Sequence, residues 1–183
     1  RLEQGRGTTK DATRAAAWYR KAAEQGHSAA QSNYGVCLLL GRGVDRNVPS
    51  GIAWLRKSAA QNDSNGLWNL AYALEQGYTG RKQIATAAEL YRRAAFAGQQ
   101  GVHADLQRLA ETGNAAAQYN YAVLLEYGAG VKKDLAAARA WQAKAAAQNY
   151  TDALTALGFF CHNGAGGPKD LPKSVECFRK AAQ

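Results

Sequence analysis

A chain of 183 residues, 46% of them hydrophobic and 20% charged, is long enough to bury a substantial core. Lys and Arg outnumber Asp and Glu by 23 to 14, and the resulting net charge of +9 admits nucleic acid, an acidic protein or an anionic membrane surface as partners. No run of about 18 apolar residues offers a membrane-spanning helix, and no secretion signal is recognisable.

The chain repeats itself. Trp18, Tyr19, Arg20 and Lys21 return as Trp54, Leu55, Arg56 and Lys57, then as Leu90, Tyr91, Arg92 and Arg93, a period of 36 residues. Gln31, Asn33, Tyr34, Gly35, Leu38, Gly41, Gly43 and Val44 reappear 87 residues later as Gln118, Asn120, Tyr121, Ala122, Leu125, Gly128, Gly130 and Val131. A further 36 residues bring Ala156, Leu157, Gly158, Cys161, Gly164 and Gly166. A fixed period of this size marks stacked supersecondary units, none of which can bury its apolar face alone. Function is therefore expected on an extended surface rather than in a single pocket.

The units fall at 1–27 (partial), 28–63, 64–99, a compressed 100–114, 115–150 and 151–183, a single array that reads as a piece of a longer one. Each full unit reads as helix, glycine loop, helix. In the first helix of the second unit, Ala30, Tyr34, Cys37, Leu38 and Gly41 fall at helical spacing, and Gly41 and Gly43 stop the helix where a left-handed residue is cheapest. Asp11, Asn47, Asp134 and Asp170 precede the second helices and are predicted to cap them. Pro49 and Pro172 follow one or two places on, where a missing amide hydrogen costs least. The second helices end in WYRKAAEQG, WLRKSAAQN, LYRRAAFAG, WQAKAAAQN and CFRKAAQ. Their alanines let helix axes approach closely, and Trp18, Trp54 and Trp141 are expected to fill the core between units.

These residues resemble the SEL-one-like repeat (SLR) family, relatives of tetratricopeptide arrays. The family consensus runs roughly as an alanine, L-G-x-L-Y, G-x-G-V, D-x-x-K-A and W-Y-x-K-A-A-x-x-G. The loop motif stands here as GRGV (Gly41 to Val44) and GAGV (Gly128 to Val131), joined by GAGG (Gly164 to Gly167). The resemblance covers nearly the whole chain. It implies an all-α fold, a right-handed α-solenoid of stacked antiparallel helix pairs, working as an adaptor that assembles protein complexes.

The sequence departs from that pattern in two places. GVHADLQRLAETGN, from Gly101 to Asn114, supplies only about one helix. If Gly98 to Gly101 is a short turn and Val102 to Thr112 an unpaired helix, the array bends there, and exchange from Gly98 to Asn114 should be faster than from Ala115 to Asn149. Cysteine is the other departure. Secreted cysteine-rich relatives carry a regular pair per repeat, whereas Cys37, Cys161 and Cys177 are three and irregular, which leans toward buried thiols and an intracellular setting. Cys161 and Cys177 lie in the two helices of one unit and can still meet.

Catalysis has little support. His27, His103 and His162 are far apart and form no metal-ligand spacing, so no catalytic residue, metal or cofactor is assigned. GYTGRK, from Gly77 to Lys82, lacks the phosphate-loop spacing, and its glycines align with helix ends. Arg20, Lys21, Arg56, Lys57, Arg92, Arg93, Arg179 and Lys180 occupy equivalent places on second helices. That stripe reads either as a solvated face near helix C-termini or as a docking site for nucleic acid, an acidic protein or membrane.

The leading expectation is a scaffold that binds a protein or extended peptide on a concave face lined by first helices. The positions offset from the core hold Ser32, Val36 and Leu39 in one unit and Trp68, Tyr72 and Glu75 in the next. Tyr119, Val123 and Glu126 occupy them in the fourth unit, and Thr155, Phe159 and His162 in the fifth. Asn33, Asn69 and Asn120 recur beside these and can hold a peptide backbone, or they can cap local backbone groups. Trp68→Ala and Tyr119→Ala are expected to weaken binding with little change in melting.

Overall fold

The computed structural model describes residues 11–183, which form helices joined by short turns, with no strand among the described residues. The GRG segment at the start of the first unit lies outside them. The helices are α1 (Ala12–Glu24), α2 (Ser28–Leu40), α3 (Val48–Ala60), α4 (Ser64–Gln76), α5 (Ile84–Phe96), α6 (Val102–Glu111), α7 (Ala115–Tyr127), α8 (Leu135–Ala146), α9 (Thr151–Asn163) and α10 (Leu171–Ala181). They fall into two compact units that part between Gln83 and Ile84.

The punctuation residues act as their chemistry dictates. The carboxylates of Asp11, Asp134 and Asp170 accept from the amides of Arg14, Ala137 and Lys173, and the Asn47 amide oxygen accepts from Ser50. Each satisfies one orphan donor of a first turn. Asp63 and Asn114 cap α4 and α7 in the same way. Gly41 and Gly128 end α2 and α7 in the left-handed conformation at φ 68 and 75, where a Cβ is penalised.

In the first unit α2 packs against α1, α3 and α4, and α3 also packs against α4. Two glycines set the α2–α3 distance: a Cβ at Gly35 would stand 2.9 Å from Leu55 Cγ, and one at Gly51 would stand 2.9 Å from the Gly35 carbonyl oxygen. A polar clamp, buried at its Gln31 end, joins three helices. Gln61 Nε2 donates to Gln31 Oε1 (2.8 Å) and to the Gly26 carbonyl (3.0 Å), while Gln31 Nε2 donates to the Ala23 carbonyl (3.3 Å). The Gly26 carbonyl thereby gains a partner, and the Ala23 carbonyl, which already accepts from the Gly26 amide, gains another.

The second unit repeats the clamp. Gln148 Nε2 donates to Gln118 Oε1 and the Gly113 carbonyl, each at 2.9 Å, and Gln118 donates to the Ala110 carbonyl. Helices α7 to α10 pack in succession. The compressed segment is where expectation and structure differ, for α6 is not unpaired. It packs against α5 and α7 and buries Val102, Leu106, Leu109 and Ala110. Helix α5, whose sequence is that of a second helix, also packs directly on α7, as α2 does on α4. The α5–α6 pair thus takes the place of one repeat with its roles exchanged, α5 standing where a first helix would.

The tryptophans also need correction. Trp54 and Trp141 are only half-buried, set edge-on to Tyr34 and Tyr121 at 5.8 and 5.6 Å. Lys57 and Lys144 lie over their rings at 4.2 and 3.9 Å, and Trp18, with Lys21 above it, is 63% exposed. The next residue along the helix, about 100° round, points inward instead: Leu55, Tyr91 and Gln142 are each 0% exposed. Cys37, Cys161 and Cys177 are buried and form no disulfide, the last two lying in one cluster with Leu154 and Leu157.

Candidate partner-binding groove

Because α5 stands beside α7, its outward residues share a face with those of α7 and α9. Arg92 Nε donates to Asn120 Oδ1 at 2.7 Å, and Asn120 Nδ2 donates to the Ala116 carbonyl at 2.8 Å. The asparagine is 4% exposed, lines the smaller of two hollows and holds the arginine in place. The remaining guanidinium edge borders two adjoining hollows. The larger, ≈ 570 Å³, is lined by Arg92 and Phe96 from α5, Tyr119, Val123, Glu126 and Tyr127 from α7, Gln142 from α8, and Asp152, Thr155, Phe159 and Asn163 from α9. The smaller, ≈ 410 Å³, shares Arg92, Tyr119 and Asp152 and adds Thr86, Glu89 and Tyr150.

The walls are aromatic and partly open. Phe96 meets Tyr127 edge-on at 5.9 Å, Phe159 meets Phe178 at 5.1 Å, and Tyr119 lies 5.6 Å from Tyr150. Phe96, Tyr127 and Phe159 nevertheless remain 49%, 65% and 55% exposed, an unusual amount of ring surface to leave in water. Burial raises the phenol pKa of Tyr119 and Tyr150, with the Asp152 charge adding to it, so both hydroxyls stay protonated donors at neutral pH. Burial likewise raises the Glu126 carboxyl, opposed by the Lys133 charge. At the floor, Gln142 is 0% exposed, and neither Nε2 nor Oε1 has a hydrogen-bond partner.

Of the positions expected from sequence, Tyr119, Val123, Glu126, Thr155 and Phe159 converge on the larger hollow. His162 is exposed but does not line it. In the first unit Trp68 stacks on Tyr72 at 5.7 Å, with Tyr72 43% exposed. Asn33 is exposed, and Asn69 Nδ2 donates to Ser32 Oγ at 3.0 Å. Ser32, Leu39 and Glu75 are buried and present no open face, which corrects their expected exposure: α2 is covered by α1, α3 and α4, and α4, which carries Glu75, packs on α2 and α3.

The basic positions have local partners. Arg20 pairs with Glu24 at 2.8 Å, Lys180 with Glu176 at 2.8 Å, and Lys21 and Lys57 lie on tryptophan rings. Arg93 is half-buried, Arg92 lies at the groove, Arg56 and Arg179 are exposed, and Ala143 stands where the fourth repeat would carry its arginine. Sequence reasoning missed Arg92 as a groove residue, and with it Phe96, Tyr127, Asp152 and Gln142. The available signals were the single 87-residue interval and the WQAK that breaks the WYRK, WLRK, LYRR and CFRK series.

Among the described residues no group of three or more His, Cys, Asp or Glu is placed to hold a metal ion, and no helix is long and apolar enough to cross a membrane. The Sel1 repeat family model matches residues 1–27, 28–63, 64–98, 115–150 and 151–183, leaving the compressed segment unmatched. Two solved structures are similar over 99% of the chain. One is c5321, a protective antigen present in uropathogenic Escherichia coli strains and displaying an SLR fold, at 30% identity and a TM-score of 0.54. The other is a Sel1 repeat protein from Oxalobacter formigenes, at 31% identity and a TM-score of 0.50. The chain spans 43% of the first protein's length and 68% of the second's. No curated protein sequence matches it.

Proposed function

Because the chain belongs to the Sel1 repeat family, whose members generally mediate protein–protein interactions, we propose that it is a non-enzymatic scaffold that binds an extended protein segment in the groove between α5, α7 and α9. The observation that carries this reading is the cluster of Phe96, Tyr127 and Phe159, 49–65% exposed around a hollow of ≈ 570 Å³. Aromatic side chains in a concave setting are the usual anchors of an interface. The basic stripe supports nucleic-acid binding less well, since several of its members are paired or stacked locally.

Selection of a random peptide library displayed on phage tests the proposal. Enriched peptides should lose binding to Phe159→Ala and Tyr119→Ala by about 2 kcal/mol or more, with helicity and melting nearly unchanged. They should also persist in moderate salt, where a phosphate-tracking interaction would weaken steeply. Trp68→Ala reports whether the α4 aromatic pair contributes as well. Peptides that bind the Phe159 and Tyr119 variants normally would defeat the groove assignment.

A further inference from the structure

The groove of the second unit is an acidic place on a basic chain. Its two hollows hold Glu89, Glu126 and Asp152 against the single cation Arg92. Those three carboxylates make no ion pair among the described residues, whereas Glu24 and Asp105 pair within their own helices and Glu176 pairs with both Lys173 and Lys180. Lys133 acts on Glu126 only through its field. Open carboxylates beside open aromatic rings suit a cation, because a guanidinium or ammonium can lie on a ring face and pair with a carboxylate together. The protein already uses the first half of that arrangement, with Lys144 3.9 Å above the Trp141 ring.

Gln142 adds a second, independent requirement. Tyr19, Leu55, Tyr91 and Phe178 occupy its place in the other repeats, all of them bulky and apolar or aromatic. Here a carboxamide lines the hollow with both its donor and its acceptor unfilled. A peptide bond supplies the matching acceptor and donor. Arg92, held on one edge by Asn120, and the protonated Tyr119 hydroxyl stand where the two hollows meet and can donate to main-chain carbonyls.

We propose that the trough holds an extended peptide segment carrying at least one arginine or lysine. The basic side chain enters the larger hollow beside Phe159 and Tyr127 and is neutralised by Glu126 and Asp152, while the Gln142 carboxamide takes a backbone amide of the same segment. The inference rests on the groove being the partner site and adds the chemistry of what occupies it.

Fluorescence anisotropy with three labelled, end-blocked heptapeptides tests it at about 150 mM salt, where distant surface charges are largely screened. The probes alternate alanine with arginine, with glutamate or with leucine. Only the arginine probe should bind saturably. Glu126→Gln combined with Asp152→Asn should weaken it by at least about tenfold. Gln142→Leu should weaken it about threefold or more without lowering the melting temperature. Arg20→Ala, on α1, should leave it unchanged.

A glutamate probe that binds equally well, an arginine probe that does not bind, or variants that retain wild-type affinity would each overturn the proposal. Failure here remains distinct from failure of the groove itself. Library peptides that lack basic residues yet depend on Phe159 would keep the groove and reject its cationic occupant, whereas library peptides indifferent to Phe159 would reject both.

Discussion

Replacing Gln142 by leucine is expected to stabilise the free chain. The side chain is 0% exposed, and both polar atoms of its carboxamide lack a partner. Burying an uncompensated amide costs about 1–3 kcal/mol on protein mutational scales. Leucine removes that cost, and Leu55, also 0% exposed, occupies the equivalent place on α3, so the local backbone geometry accepts it. The swap nearly conserves volume, which limits the repacking penalty to under about 1.5 kcal/mol. At roughly 2–4 °C per kcal/mol for a chain of this length, a net gain of up to about 3 kcal/mol after that penalty raises Tm by up to about 12 °C. The assay is thermal melting followed by far-UV circular dichroism, backed by urea titration, where the midpoint should rise at unchanged slope. Gln142→Glu at neutral pH should move the other way, since a buried unpaired carboxylate costs more than the amide. A lower Tm for Gln142→Leu with the helical content intact would refute the reasoning, because it would mean that the carboxamide has a structural partner.

Gly66→Ala should destabilise the first unit: the new Cβ would stand 2.6 Å from Ser58 Cβ and 3.0 Å from the Ala59 nitrogen. An overpacking cost of about 1–3 kcal/mol then exceeds the gain of about 1 kcal/mol in helix propensity, and the urea midpoint should fall. Glu126→Gln should stabilise the protein at neutral pH. Burial holds the folded carboxyl above its ordinary 4.5, so the ionised form is a burden once pH rises past that value, and the difference should close as pH falls below it. Glu176 has the opposite sign, being lowered to about 2 by hydrogen bonds from Lys180 and Lys173. It favours the folded state above the ordinary 4.5 and loses that effect as pH falls toward 2, and Lys180→Ala should move its carboxyl NMR midpoint upward. Hydrogen exchange should be fast only around Gly98 to Gly101, with amides from Leu106 to Ala110 protected as well as those of α7, because α6 is packed on two sides.

What the sequence made legible was whatever repeats. Caps at Asp11, Asn47, Asp134 and Asp170, and left-handed stops at Gly41 and Gly128, depend on a few neighbouring atoms and recur in phase, so spacing alone places them. At the tryptophans recurrence does not mean burial. A position that repeats can equally be a boundary position, and Trp54 and Trp141 recur because each covers a tyrosine and carries a lysine. The offset from the core picks out residues of α7 and α9 that line the larger hollow, His162 excepted, but the same offset on α2 and α4 picks out buried Ser32, Leu39 and Glu75. Solvent exposure at one register depends on which helix lies alongside, and that is a tertiary fact. Arg92 illustrates this most directly, since its sequence context matches exposed Arg20 and Arg56 while its neighbour α7 turns it toward a groove.

The phase slip ties these points together. In a strictly periodic array every second helix occupies the same kind of place, and its arginine meets the same surroundings. Inserting the single helix α6 between α5 and α7 breaks that equivalence without breaking the packing, because α6 buries Val102, Leu106, Leu109 and Ala110 between its two neighbours. The consequence is that α5 contributes Arg92, Phe96 and Glu89 to a wall otherwise built from first helices. The next second helix, α8, then departs from the repeat pattern at two adjacent positions, with Gln142 in place of a bulky apolar or aromatic residue and Ala143 in place of the arginine. On the proposed reading, the unfilled carboxamide of Gln142, set beside the open rings of Phe96, Tyr127 and Phe159, is a stability cost borne where the partner binds.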